Sequence, residues 1–161
     1  MLALEPDADG FIWNQRGWTY AALGRLPEAR DSFLKGLDRS STTADQAEAQ
    51  LGLAAVSRLD AQPRQALAPL RALLEHNPFD QASAPKSPFI MAAANHEAAQ
   101  AALSVGDKHA AIAYLSQCAG LDPLNLECLK ELAALKAKVG ENRAAWYSYL
   151  SVLALDTSDG R

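Results

Sequence analysis

The chain is poor in the residues and patterns that carry most chemistry. It has only two cysteines, Cys118 and Cys128, too few for a disulfide framework; each sits at a small-residue helical position and reads as a buried small hydrophobe. Lys and Arg number 15 against 19 acidic residues, for a net charge of −4. They are scattered, so no basic stripe exists to neutralise phosphates, which excludes nucleic acid as a partner. The apolar runs are short and broken by charge, which excludes direct membrane insertion. Met1 to Glu5 has neither a positive n-region nor an apolar h-region and does not read as a signal peptide.

Catalytic and cofactor motifs are equally scarce. No phosphate-binding glycine loop, no C-x2-C pair and no G-x-S-x-G elbow is present. His96 and Glu97, followed by Gln100, come within one residue of the H-E-x-x-H zinc motif. That motif needs two imidazoles four apart on one helical face, and glutamine is a poor zinc ligand. His76 and His109 lie at the ends of separate helical segments and read as exposed. The sequence therefore calls for no enzyme activity, no cofactor and no metal.

What the chain does have is a 49% hydrophobic content and a pattern that repeats. Trp13, Gly17 and Tyr20 are followed by Gly24, Ala29, Phe33 and Gly36. The same skeleton returns as Leu51, Gly52, Ala66, Leu70 and Pro78, then as Ala98, Ala99, Gly106, Ala111, Leu115 and Pro123. It appears a fourth time as Leu129, Leu132, Ala133, Gly140, Ala145 and Tyr149. Over almost its whole length the chain resembles the tetratricopeptide-repeat family, whose period is about 34 residues. The resemblance implies an all-α, right-handed superhelical solenoid of about four helix-turn-helix repeats forming a single domain. Those repeats fall at about 10–43, 44–80, 88–125 and 126–157, with an irregular insert at 79–87.

Caps and breakers place the helices. The first helix is expected from Gly10 to Leu23, capped by Asp7 or Asp9 and ended by Gly24; the second has Pro27 in its first turn and runs to about Arg39. Thr43 and Gln46 fit a capping box for a third helix that ends near Leu59. The connection Asp60 to Pro63 looks about two residues longer than usual, and Pro69 should kink or shorten the helix from Pro63 to His76. The insert from Phe79 to Ser87 is rich in turn formers and reads as an exposed loop. Ser87 and Pro88 start the next helix. Others follow at about Lys108 to Gly120, Leu126 to Val139 and Glu141 to Leu155. The Ala111 to Ala145 interval is 34 residues, but Ala29 to Ala66 and Ala66 to Ala111 span 37 and 45, so the array is irregular in its middle.

Leu2 to Pro6 reads like the tail of a preceding repeat, and Leu153 to Asp156 ends without a polar capping helix. Terminal repeats ordinarily need a polar outer face, so an excised segment of a longer array is expected.

In the family, the first helix of each repeat lines a concave groove. Carried onto this chain, the groove residues are Phe11, Asn14, Trp18, Ala21 and Ala22 in repeat one, and Gln46, Ala49, Leu53, Val56 and Ser57 in repeat two. Repeat three gives Ala93, His96, Gln100, Leu103 and Ser104, and repeat four gives Glu127, Lys130, Ala134, Ala137 and Lys138. From these the partner-binding set is Phe11, Asn14, Trp18, Gln46, Leu53, Ser57, His96, Gln100, Lys130 and Lys138. The lysines and asparagines of the family's carboxylate clamp are missing, so that partner class is disfavoured. The resemblance implies a non-catalytic scaffold that binds a protein or peptide partner in the groove. Its Ala- and Leu-rich repeats are similar to bacterial members that serve larger assemblies, in the cytoplasm or the periplasm. Two alternatives stand beside it: a head-to-tail homo-oligomer, and a targeting module fused to an enzyme.

Overall fold

In the computed structural model of the chain, residues 9–79 and 87–156 are described. They form eight α-helices: α1 Gly10–Ala22, α2 Leu26–Arg39, α3 Thr43–Leu59, α4 Pro63–His76, α5 Ser87–Ser104, α6 Lys108–Leu121, α7 Leu126–Lys138 and α8 Asn142–Asp156. No strand occurs among the described residues. The helices pack as consecutive antiparallel pairs, α1 with α2, α3 with α4, α5 with α6 and α7 with α8. The odd-numbered helices also touch one another, α1 against α3 and α3 against α5, whereas the even-numbered ones make no comparable contact. The solenoid therefore bends with its odd helices inside.

Local chemistry explains the helix ends. The Asp9 side chain accepts the Ile12 amide at 3.1 Å, Asp107 accepts Ala110 at 2.9 Å and Asn125 accepts Cys128 at 3.1 Å. Each satisfies an amide that the first helical turn leaves without a partner. At α3 the cap is Thr42, whose hydroxyl accepts the Asp45 amide at 3.1 Å. The capping box thus starts one residue before the expected Thr43. Pro27 and Pro63 occupy first-turn positions, where the missing N–H costs nothing. Helix α4 runs through Pro69 unbroken to His76, so the expected shortening does not occur.

The four turns within the pairs are alike, which corrects the expectation of a longer connection after Leu59. Each is three residues long with one left-handed residue at its centre: Gly24 (φ 72°), Ala61 (φ 56°), Gly106 (φ 85°) and Gly140 (φ 86°). The same pair of backbone bonds closes each one, for example Gly24 N to Ala21 O and Arg25 N to Tyr20 O, matched by Ala61 N to Arg58 O and Gln62 N to Ser57 O. The irregular spacing arises elsewhere, in the 17-residue α3, the 18-residue α5 and the long connection before α5.

Two clusters form the core. The larger runs from Ala47 and Leu51 of α3 through Leu70 and Ala98 to Leu115 and Leu132, and the smaller gathers Ala29, Phe33 and Val56. Phe79 belongs to the larger cluster at 8% exposure. It was expected at the start of an exposed loop, but an aromatic ring directly after α4 gains more by folding into the adjacent core. The rest of that insert, residues 80–86, lies outside the described residues, while Ser87 already belongs to α5.

The cysteines also depart from expectation. Cys118, near the end of α6, and Cys128, in the first turns of α7, are joined by a disulfide and fully buried. Spacing alone could not reveal this, because the pairing depends on the α6–α7 turn bringing the two Cα atoms to 6.3 Å. Closing a loop of ten residues restricts the unfolded chain by about 2.5–3 kcal/mol in the chain-entropy picture.

Ala61 is the one non-glycine residue at the centre of these four turns. A side chain in the left-handed region costs about 1–2 kcal/mol, part of which the greater unfolded-state freedom of glycine cancels. Ala61→Gly should therefore raise stability by about 0.5–1 kcal/mol in urea denaturation; a loss of stability would show that the turn is not strained.

Candidate functional site

The inner face is a series of seams between odd-numbered helices, and each seam is crossed by a glutamate. In the first, Glu48 of α3 accepts from Gln15 Nε2 and Trp18 Nε1 of α1, both at 3.2 Å. In the second, Arg58 of α3 pairs with Glu97 of α5 through both carboxylate oxygens, with Nη2 at 3.3 Å from Oε2. In the third, Glu131 of α7 accepts from Gln100 Nε2 of α5 at 2.6 Å and lies 3.2 Å from His96 Nε2. Arg58 and Glu97 keep only 25% and 13% of their side-chain surface exposed, so this pair is partly withdrawn from water and screened less than an open surface pair.

The expected groove residues divide into three groups on this frame. Phe11, Gln46, Lys130 and Lys138 are exposed. Trp18, Leu53, His96 and Gln100 are half-buried, and all but Leu53 are engaged in the seams. Asn14 and Ser57 are buried and belong to the interior, which corrects their assignment to the groove. Asn14 is 0% exposed and donates from Nδ2 to the Asp45 carbonyl at 2.8 Å, tying α1 to the first turn of α3. Gly36 of α2 leaves the space its amide fills, since a Cβ there would collide with Asn14 Oδ1. Ser57 donates to its own helix at Leu53 O, 2.9 Å away. Ala49 and Val56 are buried as well. For the three α3 residues the cause is position: α3 has α1, α2, α4 and α5 packed around it, so only a narrow stripe faces the groove.

Trp18 serves two purposes at once. Its ring meets Phe33 edge-on, with centroids 5.0 Å apart and planes at 75°, while its indole N–H reaches Glu48. The first contact is structural, the second holds the seam. Glu48, Glu131 and Arg58, and the seam role of Glu97, were missed from sequence because family positions point to side chains facing a ligand, not to those facing the next repeat. A charged residue directly beside an inner-face position, as Glu97 stands beside His96, is the signal that could have found them. Glu97 is held by Arg58, and this ion pair gives it a structural partner apart from any zinc-protease role.

No helix among the described residues is long and apolar enough to cross a membrane. Exposed apolar surface concentrates on α8, where Trp146 and Tyr147 are each 62% exposed and Leu153 is 60%.

Residues 12–43 and 92–123 match the tetratricopeptide repeat family; these stretches correspond to the pairs α1–α2 and α5–α6. No curated protein matches the chain. Among solved structures, MamA of Desulfovibrio magneticus RS-1 superimposes with a TM-score of 0.68 at 21% identity, over 93% of this chain and 77% of that one. A double mutant of MamA RS-1 gives 0.69 at 21% identity, over 96% and 79%. The nearly identical TPR-like repeats of a Podosopora anserina protein assigned as a kinesin light chain give 0.72 at 18% identity, over 99% and 80%. At these identities the likeness is one of fold.

Because Trp18 supports the smaller core but is only half-buried, Trp18→Ala should lower stability by about 2–4 kcal/mol, somewhat less than truncating a fully buried aromatic. Gln46→Ala, on the exposed stripe, should stay within about 0.5 kcal/mol. A thermal melt of Trp18→Ala indistinguishable from the parent would return Trp18 to the role of a free binding anchor.

Proposed function

Starting from a chain that carries tetratricopeptide repeats, we propose that it is a non-catalytic scaffold of four repeats in one domain, binding a protein or peptide partner along its inner face. The observation that carries this reading is the seam ladder. Three glutamates fix the odd helices to one another, so the exposed side chains between the seams are presented on a rigid frame. A pre-ordered surface gives up less conformational entropy on binding. The candidate contacts are Phe11, Gln46, Ala93, Lys130 and Lys138, with the exposed edges of Leu53, His96 and Gln100. A partner segment with apolar groups toward α1 and polar groups toward α7 fits that gradient.

Self-association is a second reading, favoured by the exposed Trp146, Tyr147, Tyr149, Leu150 and Leu153 of α8. An apolar face of this kind on the last described helix, set against the exposed Phe11 and Ile12 of α1, allows a heterologous end-to-end contact between copies. Sedimentation across a concentration series separates it from the first reading.

A photo-crosslinking residue placed at Gln46, Ala93 or Lys138 should capture a discrete set of proteins in an extract of the source cell. The same residue at Leu34 of α2 or Ala113 of α6, both exposed on the even helices, should not. Equal capture from both faces, or none from the inner one, would contradict the groove as the working surface.

A further inference from the structure

The third seam differs from the other two. Helices α5 and α7 approach each other less closely than α1 and α3 or α3 and α5, so side chains bridge the gap. Three of these chains bear metal-binding atoms. The His96 imidazole and the carboxylates of Glu127 and Glu131 place one such atom each within 4.8 Å of the other two.

The spacing has a simple origin. Glu127 and Glu131 are four residues apart on α7 and therefore share one face, while His96 faces them from α5. Two carboxylates at that spacing repel, and among the described residues no lysine or arginine lies within ion-pair distance of either. Among the described residues the one basic group within ion-pair distance is His96, 3.2 Å from Glu131. Tetrahedral ligands bonded at about 2.1 Å stand about 3.4 Å apart. Closing from 4.8 Å therefore takes a rotamer adjustment of the exposed Glu127, without movement of the helices.

We propose that His96, Glu127 and Glu131 form a binding site for a first-row divalent transition-metal ion of the zinc class, clasping α5 to α7. The donor set selects the ion. Imidazole nitrogen with two carboxylate oxygens suits zinc and its neighbours, whereas calcium and magnesium take oxygen alone. Gln100, whose amide already holds Glu131 at 2.6 Å, orients that carboxylate as an outer-shell partner. Three protein ligands leave a coordination position open to water or to a donor from outside the chain. The site shares His96 with the near-match to H-E-x-x-H but not Glu97, which is paired with Arg58. It also stands independently of which partner the inner face binds.

Titration of the intact protein with zinc chloride by calorimetry should show one saturable site, and zinc should raise the melting temperature. His96→Gln and Glu127→Gln should each weaken binding at least tenfold and abolish the thermal shift, while His109→Gln, on α6, should change neither. Cobalt(II) should give a visible absorption band that His96→Gln removes. Glu127 is exposed on α7, so its variant keeps the test valid should His96→Gln fold poorly. Absence of saturable one-to-one binding, or equal affinity in either variant, would overturn the proposal.

Discussion

Phe33 is fully buried against two glycines, Gly17 of α1 and Gly52 of α3. A Cβ at Gly17 would stand 2.6 Å from the ring, and one at Gly52 would intrude further. The ring of a single α2 residue thus fills space that two neighbouring helices leave open, joining the first pair to the second. Trp18 closes the pocket edge-on and Val56 lines it. Burial of a phenylalanine contributes about 3 kcal/mol. The geometry matters more than that sum, because it sets how close α1, α2 and α3 can come. The α1–α3 spacing in turn brings Gln15 and Trp18 within reach of Glu48, and Asn14 within reach of the Asp45 carbonyl.

From that first seam the same arrangement passes along the array with changing chemistry. A neutral–acidic contact holds α1 to α3, a guanidinium–carboxylate pair holds α3 to α5, and a histidine–glutamine–glutamate group holds α5 to α7. The junction between the third and fourth pairs, where the odd helices stand furthest apart, is the one that also carries the buried disulfide. Covalent closure and side-chain bridging there supply what close backbone packing supplies at the other end. The proposed scaffold function depends on this continuity, since a groove presents one surface only if its walls are fixed to one another.

Much of the fold was legible because its causes are local. Caps such as Asp9 and Asn125, first-turn prolines and glycines at left-handed turns mark helix ends within a few residues. The repeat of small residues at Gly17, Gly52 and Ala99 marks the close contacts. The errors have equally definite causes. Ala61 hid a turn that glycine announces elsewhere, so the connection after α3 looked lengthened when α3 itself is the longer element. Phe79 was read with its polar successors, although its burial is decided by the core beside it. Asn14 and Ser57 hold groove positions in the family register, yet Asn14 is enclosed between Gly36 of α2 and the first turn of α3, and Ser57 lies on α3, which is surrounded on four sides. The Cys118–Cys128 bond and the seam glutamates depend on contacts between repeats, which a single-repeat pattern does not encode.

The coupling between Phe33 and Gly52 is the most direct measure of this account. Gly52→Ala should destabilise by about 1–3 kcal/mol through overpacking, and Phe33→Leu should destabilise by removing contact area. Combined, they should cost less than their sum by at least about 1 kcal/mol, because the smaller side chain leaves room for the added methyl. Urea denaturation of the four proteins gives the cycle. Additive effects, agreeing to within about 0.5 kcal/mol, would mean that Phe33 and Gly52 are not in contact and that something else holds the first two helix pairs together.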